Sequence, residues 1–338
     1  MSGPVRDAAA VDWAARADAA YDALVARFWN RWLGLFRVST GWRGWLPLGP
    51  WNYWWQAHAL DCVLDAVARG RAGEADRAAR LVHGVLRRNG GRIQNDYYDD
   101  MGWMALALDR AREVAGLDTE GLVRTLWVEI QGGWNAAHGG IVWRRGDTYT
   151  NTPANAPAAI LALRRHRVTG DPLDLAWARR IAEWLHTALV ERGTGVVWDG
   201  IHPGADPGPG RERYSYNHGT VAGADQMLFE ATGDPGYRES ALLVARAGLP
   251  GAGLPGAGVL PDEGGGDRAL FKGIYARYVA GLADPDLTEA LRRNGESAWR
   301  TRSRAGLSGP SWTRSPSGAV ELSAHLSGVL LLGALAAT

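Results

Sequence analysis

Helical segments follow one another along this chain, and their joints alternate between a long loop and a short turn. No other feature limits the possible folds so sharply. The first segment runs from about Ala8 to Phe36, with an apolar stripe at Ala17, Tyr21, Leu24, Val25, Phe28, Trp32 and Leu35 at helical spacing. A Gly/Pro/Trp-rich loop from Arg37 to Pro50 separates it from a segment running from Trp51 to about Arg69. The turn Gly70–Gly73 leads directly to the next helix. The same long-short rhythm continues. Gly116-Leu117 and the repeated Thr-Gly-Asp-Pro turns at Thr169–Pro172 and Thr232–Pro235 are short joints; in the two repeated turns Gly ends one helix and Asp-Pro opens another. Asp171 and Asp234, with Asp96 and Asp118, therefore read as helix caps. The long joints are Gln131–Thr152, Glu191–Arg213 (with Pro203, Pro207 and Pro209), Gly248–Gly266 and Thr301–Gly318.

Twelve helices result, in six hairpins of roughly 55 residues each. Hairpins in series can close into a ring of six inner and six outer helices. The predicted fold is all-α, an (α/α)6 barrel, with residues 1–338 forming one domain. Each long loop precedes the helix placed inside, so the loops gather at one end, over the N-termini of the inner helices, where function collects. Inner helices should be apolar nearly all round, as Met101–Leu108 and Ala156–Leu163 are, and outer helices should carry narrow stripes. An open helical solenoid is the rival fold, but it gives no reason for polar clusters at equivalent loop ends.

Those clusters are present. The loop ends supply Trp51-Asn52-Tyr53-Trp54-Trp55, Tyr97-Tyr98-Asp99-Asp100, Asn151-Thr152 with Asn155, Tyr214-Ser215-Tyr216-Asn217-His218, Phe271-Lys272-Gly273 and Trp312. Flat aromatic faces beside amides and carboxylates suit a sugar, whose C–H faces stack and whose hydroxyls accept and donate hydrogen bonds. Composition agrees: there are 17 Trp against 4 Phe and 10 Tyr, an excess that core packing does not require. Of 37 Lys and Arg side chains only Lys272 is lysine, which reads equally as a place needing a compact ammonium or as chance survival in an Arg-rich composition. Asn155 and Asn217 lie within helices despite poor propensity, and sugar hydroxyls compete with capping as the reason. His218 reads equally as a ligand or as a structural hydrogen-bonder, and Asp199 as a turn residue or a third carboxylate in the cleft. Trp177, Trp184 and Trp299 fall on outer-helix stripes and belong to the core.

Asp99 and Asp100 are the catalytic candidates. Glycoside hydrolysis uses two carboxyl groups flanking the bond, about 5–5.5 Å apart when configuration is retained. Neighbouring acids also repel, which raises one pKa and leaves a usable acid near neutral pH. Against this stands the ordinary preference for Asp at a helix start. Other chemistries find less support. A net charge of +1 gives no reason to expect nucleic acid as a partner, the single Cys62 excludes an internal disulfide, and no Cys/His spacing marks a metal site. No cofactor is expected. The glycine-rich stretch Gly251–Gly266 does not join a strand to a helix and is not a phosphate loop. The apolar run Val329–Ala337 is too short to span a bilayer, and no leader-like start is seen, so the expected location is cytoplasmic, with secretion by another route as the alternative; a monomer is expected.

Taken together, Asp99-Asp100-Met101-Gly102-Trp103, Gln131-Gly132-Gly133-Trp134, Gly139–Trp143, Asn151-Thr152 with Asn155 and Pro157, Tyr216-Asn217-His218-Gly219 and Phe271-Lys272-Gly273 with Arg277-Tyr278 resemble glycoside hydrolase family 76, the endo-α-1,6-mannanases. The resemblance extends from about Asp18 to Leu332. It implies an (α/α)6 barrel that cleaves α-1,6-mannosidic bonds with retention, in α-mannan or manno-oligosaccharides, with Asp99 as nucleophile and Asp100 as general acid/base. The expected substrate contacts are Trp51, Asn52, Tyr98, Trp103, Asn151, Asn155, Asp199, Tyr216, Asn217, His218 and Lys272, with no metal. Fungal relatives act as transglycosidases. Transfer to a sugar acceptor is thus one alternative, and a non-catalytic carbohydrate-binding protein is another. Isomerases and epimerases on such barrels use several His at the ring end, where this chain clearly places only His218, with His138 and His202 in loops.

Overall fold

The computed structural model describes residues 11–45, 49–202, 210, 212–251 and 258–338. Ala8 of the expected first helix, Pro203, Pro207 and Pro209 of one long loop, and 252–257 of the Gly248–Gly266 loop lie outside them. Twelve α-helices occur among the described residues: α1 Trp13–Phe28, α2 Tyr53–Ala68, α3 Glu74–Arg88, α4 Tyr98–Ala115, α5 Glu120–Gly132, α6 Thr152–Thr169, α7 Pro172–Ala188, α8 Ser215–Thr232, α9 Pro235–Ala247, α10 Arg268–Ala280, α11 Pro285–Thr301 and α12 Leu322–Ala336. The even-numbered helices pack on one another in chain order, and α12 returns to α2, which closes the ring. The odd-numbered helices lie outside it: α3 on α2, α5 on α4, α7 on α6, α9 on α8, and α1 and α11 against α12. This is the six-hairpin α-toroid expected from the loop rhythm.

Burial follows the inner-outer division. Met101–Leu108, Thr152–Leu163 and Leu322–Gly333 are buried without interruption, because each inner helix meets neighbours on every side. Each leucine sealed there, such as Leu330 or Leu331, contributes about 1.5–3 kcal/mol. The outer helix α11 buries a single stripe that includes Leu287, Leu291 and Ala298. The short joints behave as read: Gly170 and Gly233 end α6 and α8 at φ 71° and 73°. Asp171 and Asp234 then cap α7 and α9 through the N–H of Leu173 and Gly236. Asp96 and Asp118 are not caps; those positions fall to Tyr97 and Thr119.

The first helix is shorter than its stripe suggests. It ends at Phe28, and strands β1 (Trp29–Asn30) and β2 (Leu35–Phe36) form a hairpin. The Asn30 side chain accepts the N–H groups of Trp32 and Leu33, a local bond that competes with the helix, and Gly34 turns the chain at φ 66°. Trp32, placed on the buried stripe by its spacing, is 80% exposed.

At the end away from the inner N-termini, ion pairs tie the helices together. Asp65 of α2 accepts from Arg110 of α4 and Arg277 of α10, and Arg110 also bonds Asp61. At the other end, β3 (Thr150–Asn151) pairs with β4 (Gly200–Ile201) and fixes one long loop over the start of α6. A Cβ on Gly200 would lie 2.5 Å from the Tyr149 ring, so glycine is what lets these loops touch. No described helix is long and apolar enough to cross a membrane.

Candidate active site

The first turns of α2, α4, α6, α8 and α10 converge on a cleft of about 760 Å³, whose lining includes Trp51, Asn52, Trp54, Asp99, Asp100, Trp103, Trp143, Asn151, Asp199, Tyr216, Asp267 and Phe271. Five helix N-termini thus point their positive ends into one space, a field that favours anions. The cleft carries carboxylates at α4, at the cap of α10 and on the loop before α8.

Asp99 and Asp100 lie half-buried in the first turn of α4. One Asp99 oxygen accepts the backbone N–H of Asp100 at 2.9 Å, and the other accepts the indole N–H of Trp143 at 3.0 Å. The loop that brings Trp143 there is stitched to α4, since the Tyr98 N–H donates to the Trp143 carbonyl. Among the described residues, Asp100 accepts from the Asn95 side-chain amide alone, at 2.7 Å. Loss of water around both groups raises their proton affinity. Asp99 is held up to about 7 by burial, its hydrogen bonds lowering it and Asp199 raising it. Asp100 is pushed well above the usual carboxylate range by burial, then by the charge of Asp99, and further by Asp267, with the Asn95 bond acting the other way. The pair therefore retains a proton near neutral pH, and Asp99 has the environment better suited to a charge.

Two walls flank the pair. On one, Asp199 accepts from Tyr149 Oη at 2.8 Å and Asn217 Nδ2 at 2.9 Å. Burial raises its pKa while those bonds oppose the shift. On the other, Asp267 meets Asn52, Trp54 and Trp55. Aromatic faces form the surface between: Tyr216 stacks on Phe271 at 3.8 Å with planes 6° apart, and Trp103 lies 6.5 Å from Tyr216. His58, buried behind Trp54 and Trp103, is kept neutral, with its pKa lowered to about 3 by burial.

Of the residues expected from sequence, Asp99, Asp100, Trp51, Asn52, Trp103, Asn151, Asp199 and Tyr216 line the cleft. Five others are placed elsewhere. Asn155 is fully buried, accepting from the Ile141 N–H and donating to the carbonyls of Ile141 and Asn151, so its polar atoms are used in pinning a loop. Asn217 is buried behind Asp199 and holds it. His218 donates Nδ1–H to the Tyr214 carbonyl and accepts the Val197 N–H at Nε2, and burial lowers its pKa to about 4, so it is a neutral structural residue. Lys272 is buried, bonding the carbonyls of Pro310 and Pro261 beneath the Trp312 ring. Tyr98 packs its ring against Gly133, outside the cleft.

Residues 12–330 match the sequence model of Glycosyl hydrolase family 76. The chain belongs to that family. Its fold agrees with that of solved relatives. The α-1,6-mannanase GH76A of Salegentibacter sp. superposes with a TM-score of 0.90 at 34% identity, over 96% of this chain and 99% of that one. An inactive variant of that mannanase, with two consecutive aspartates changed to asparagine, was captured with α-1,6-mannotriose. The mannan endo-1,6-α-mannosidases of Candida glabrata and Saccharomyces cerevisiae are 27% identical over 150 residues and 28% identical over 131. Those matches cover 42% and 36% of this chain, and 34% and 29% of theirs, about a third of the curated relatives' length.

Sequence reasoning passed over Asn95, Tyr149 and Asp267 in this family 76 cleft. Asp267 follows three glycines that look like plain loop, and no spacing rule links it to the indoles it binds.

Proposed function

We propose that this family 76 hydrolase is a retaining endo-α-1,6-mannanase. The observation that carries the reading is the unequal setting of its adjacent acids: Asp99 takes two N–H donors, whereas Asp100 takes one amide and faces two other carboxylates. Asp99 is the better anion and acts as nucleophile; Asp100 keeps the proton and acts as acid. An Asp99 oxygen attacks the anomeric carbon as the bond to the leaving oxygen breaks, and the Asp100 proton passes to that oxygen. Water then attacks the anomeric carbon of the mannosyl ester, gives its proton to Asp100 and releases Asp99. The Salegentibacter mannanase, inactive when two consecutive aspartates are replaced, supports assigning the chemistry to this pair and the substrate to α-1,6-linked mannose.

The test is incubation with linear α-1,6-mannan, following the first anomer released by NMR. The α-anomer from the wild type, and none from Asp99→Asn with intact folding, are the expected results. A β-anomer would refute retention, and products longer than the substrate would shift the reading to transfer onto a sugar acceptor. Full activity in Asp99→Asn would remove the nucleophile assignment.

A further inference from the structure

Asp267 stands at the N-cap position of α10, across the cleft from α4, but its side chain makes no capping bond and is set in an unusual way. Its Oδ1 accepts three N–H groups: Asn52 Nδ2 at 3.2 Å, Trp54 Nε1 at 3.0 Å and Trp55 Nε1 at 2.8 Å. All three donors come from the first turn of α2 or its cap, so the carboxylate bridges two inner helices. None of these bonds involves Oδ2, and the residue is exposed to the cleft. Three donors around one oxygen fix the plane of the group and leave the second oxygen as a pre-oriented acceptor. Asp100 lies close enough to feel this charge, whereas Asp199 is the carboxylate felt by Asp99. Asp267 thus lies on the Asp100 side of the cleft and Asp199 on the Asp99 side.

We propose that Asp267 is a substrate-anchoring, specificity-determining residue: its Oδ2 accepts a hydroxyl of the sugar on the leaving-group side, next to Asp100. The inference rests on the reading of Asp100 as acid, because the acid must lie beside the departing oxygen. An acceptor held rigid before binding gains affinity, since no side-chain freedom is lost when the sugar arrives. Aromatic neighbours cannot replace it, because the faces of Trp51 and Trp54 stack on a ring but do not fix its hydroxyls.

The test variant is Asp267→Asn. It keeps an oxygen for the three donors, which hold the amide so that its NH₂ replaces Oδ2. Two substrates are compared: α-1,6-mannotetraose, and an aryl α-1,6-mannobioside whose leaving group carries no sugar. The ratio of kcat/KM for the tetraose to that for the aryl glycoside should fall at least tenfold, mainly through KM. An unchanged ratio overturns the proposal. Calorimetry provides a readout independent of turnover: α-1,6-mannotetraose should bind about tenfold more weakly to Asp99→Asn/Asp267→Asn than to Asp99→Asn, and equal binding also overturns it. A crystal structure of Asp99→Asn with the tetraose, in which Asp267 is native, covers the case of a misfolded variant; Oδ2 without a sugar hydroxyl within hydrogen-bond distance would again overturn it. If the wild type binds the tetraose but never cleaves mannan while Asp267→Asn weakens binding, the anchor stands and only the hydrolytic reading falls.

Discussion

The indole N–H of Trp143 reaches the Asp99 carboxylate at 3.0 Å from a loop 44 residues further along the chain. It is a fixed donor, because the same loop hydrogen-bonds the start of α4 and the Trp143 ring packs on Tyr97 and Tyr149. The bond favours the ionised acid, the form that the proposed nucleophile requires. Trp143→Phe keeps most of the packing and removes the donor. Hydrogen bonds to charged groups are worth about 1.5–3 kcal/mol, so kcat/KM on α-1,6-mannan should fall about 10- to 100-fold. Asp99, already at about 7, should titrate higher still, moving the acidic limb of the pH profile upward. The loss should therefore be larger at pH 6 than at pH 8. A reduced rate with an unmoved limb would show that the indole acts only through shape.

The same carboxylate makes the fold less stable. In the unfolded chain an Asp titrates near 3.8, and in the fold Asp99 holds its proton up to about 7. Between those values the native protein binds more protons than the unfolded chain, so stability falls as pH rises through this window. Asp99→Asn abolishes the charge. It should change stability little at pH 4 and increase it by on the order of 2 kcal/mol at pH 8, a discounted figure because the group is half-buried. Urea unfolding at the two pH values measures this, and an equal gain at both would attribute it to packing. The expected pattern, a dead variant more stable than the active enzyme, is the trade-off of an acid kept for function.

What the sequence disclosed, and what it hid, follows from the range of the forces involved. Joints are local. Gly170 and Asp171 announce a helix stop and start through their own backbone preferences, and the barrel follows from counting such joints. The Asp99-Asp100 pair was legible because its two members are adjacent. Partners across the ring were not: Asn155 and His218 have the residue types of a binding site, but their polar atoms are consumed by the backbone of Ile141, Asn151, Tyr214 and Val197, which only the closed fold supplies. The reverse holds for Asp267, an unremarkable loop residue until α10 meets α2. Trp32 shows a third limit, where a helical period continues by chance through a hairpin set by Asn30 and Gly34.

Lys272, singled out by being the only lysine, belongs to the frame. Its ammonium bonds the carbonyls of Pro310 and Pro261 and lies 4.6 Å from the centre of the Trp312 ring, which holds two long loops on α10. Lys272→Met fills similar space but leaves both carbonyls to find other donors. A loss of about 2–3 kcal/mol in stability is expected, with kcat on mannan reduced less than threefold in the folded fraction. Denaturant unfolding together with activity normalised to folded protein separates the two effects. A large fall in kcat without a fall in stability would return Lys272 to the site.

The charges at the opposite end of the barrel should respond to acid in the reverse sense to Asp99. Burial alone would raise the pKa of Asp65, yet Arg277 and Arg110 hold it below the usual carboxylate value. Its contribution to stability is therefore present above about 3.8 and lost as pH falls through the lowered folded value. Removing one cation leaves a buried carboxylate under-compensated, which typically costs about 3–5 kcal/mol. Arg277→Met should show that loss at pH 7. At pH 4 the penalty should shrink, because protonation of Asp65 now relieves an unpaired charge. Adding Asp65→Asn should recover part of the loss at pH 7 and little at pH 4. If the Arg277→Met deficit were instead the same at both pH values, the arginine would be acting through the packing of its stem between α2 and α10, and the ion pair would contribute nothing net to closing the ring.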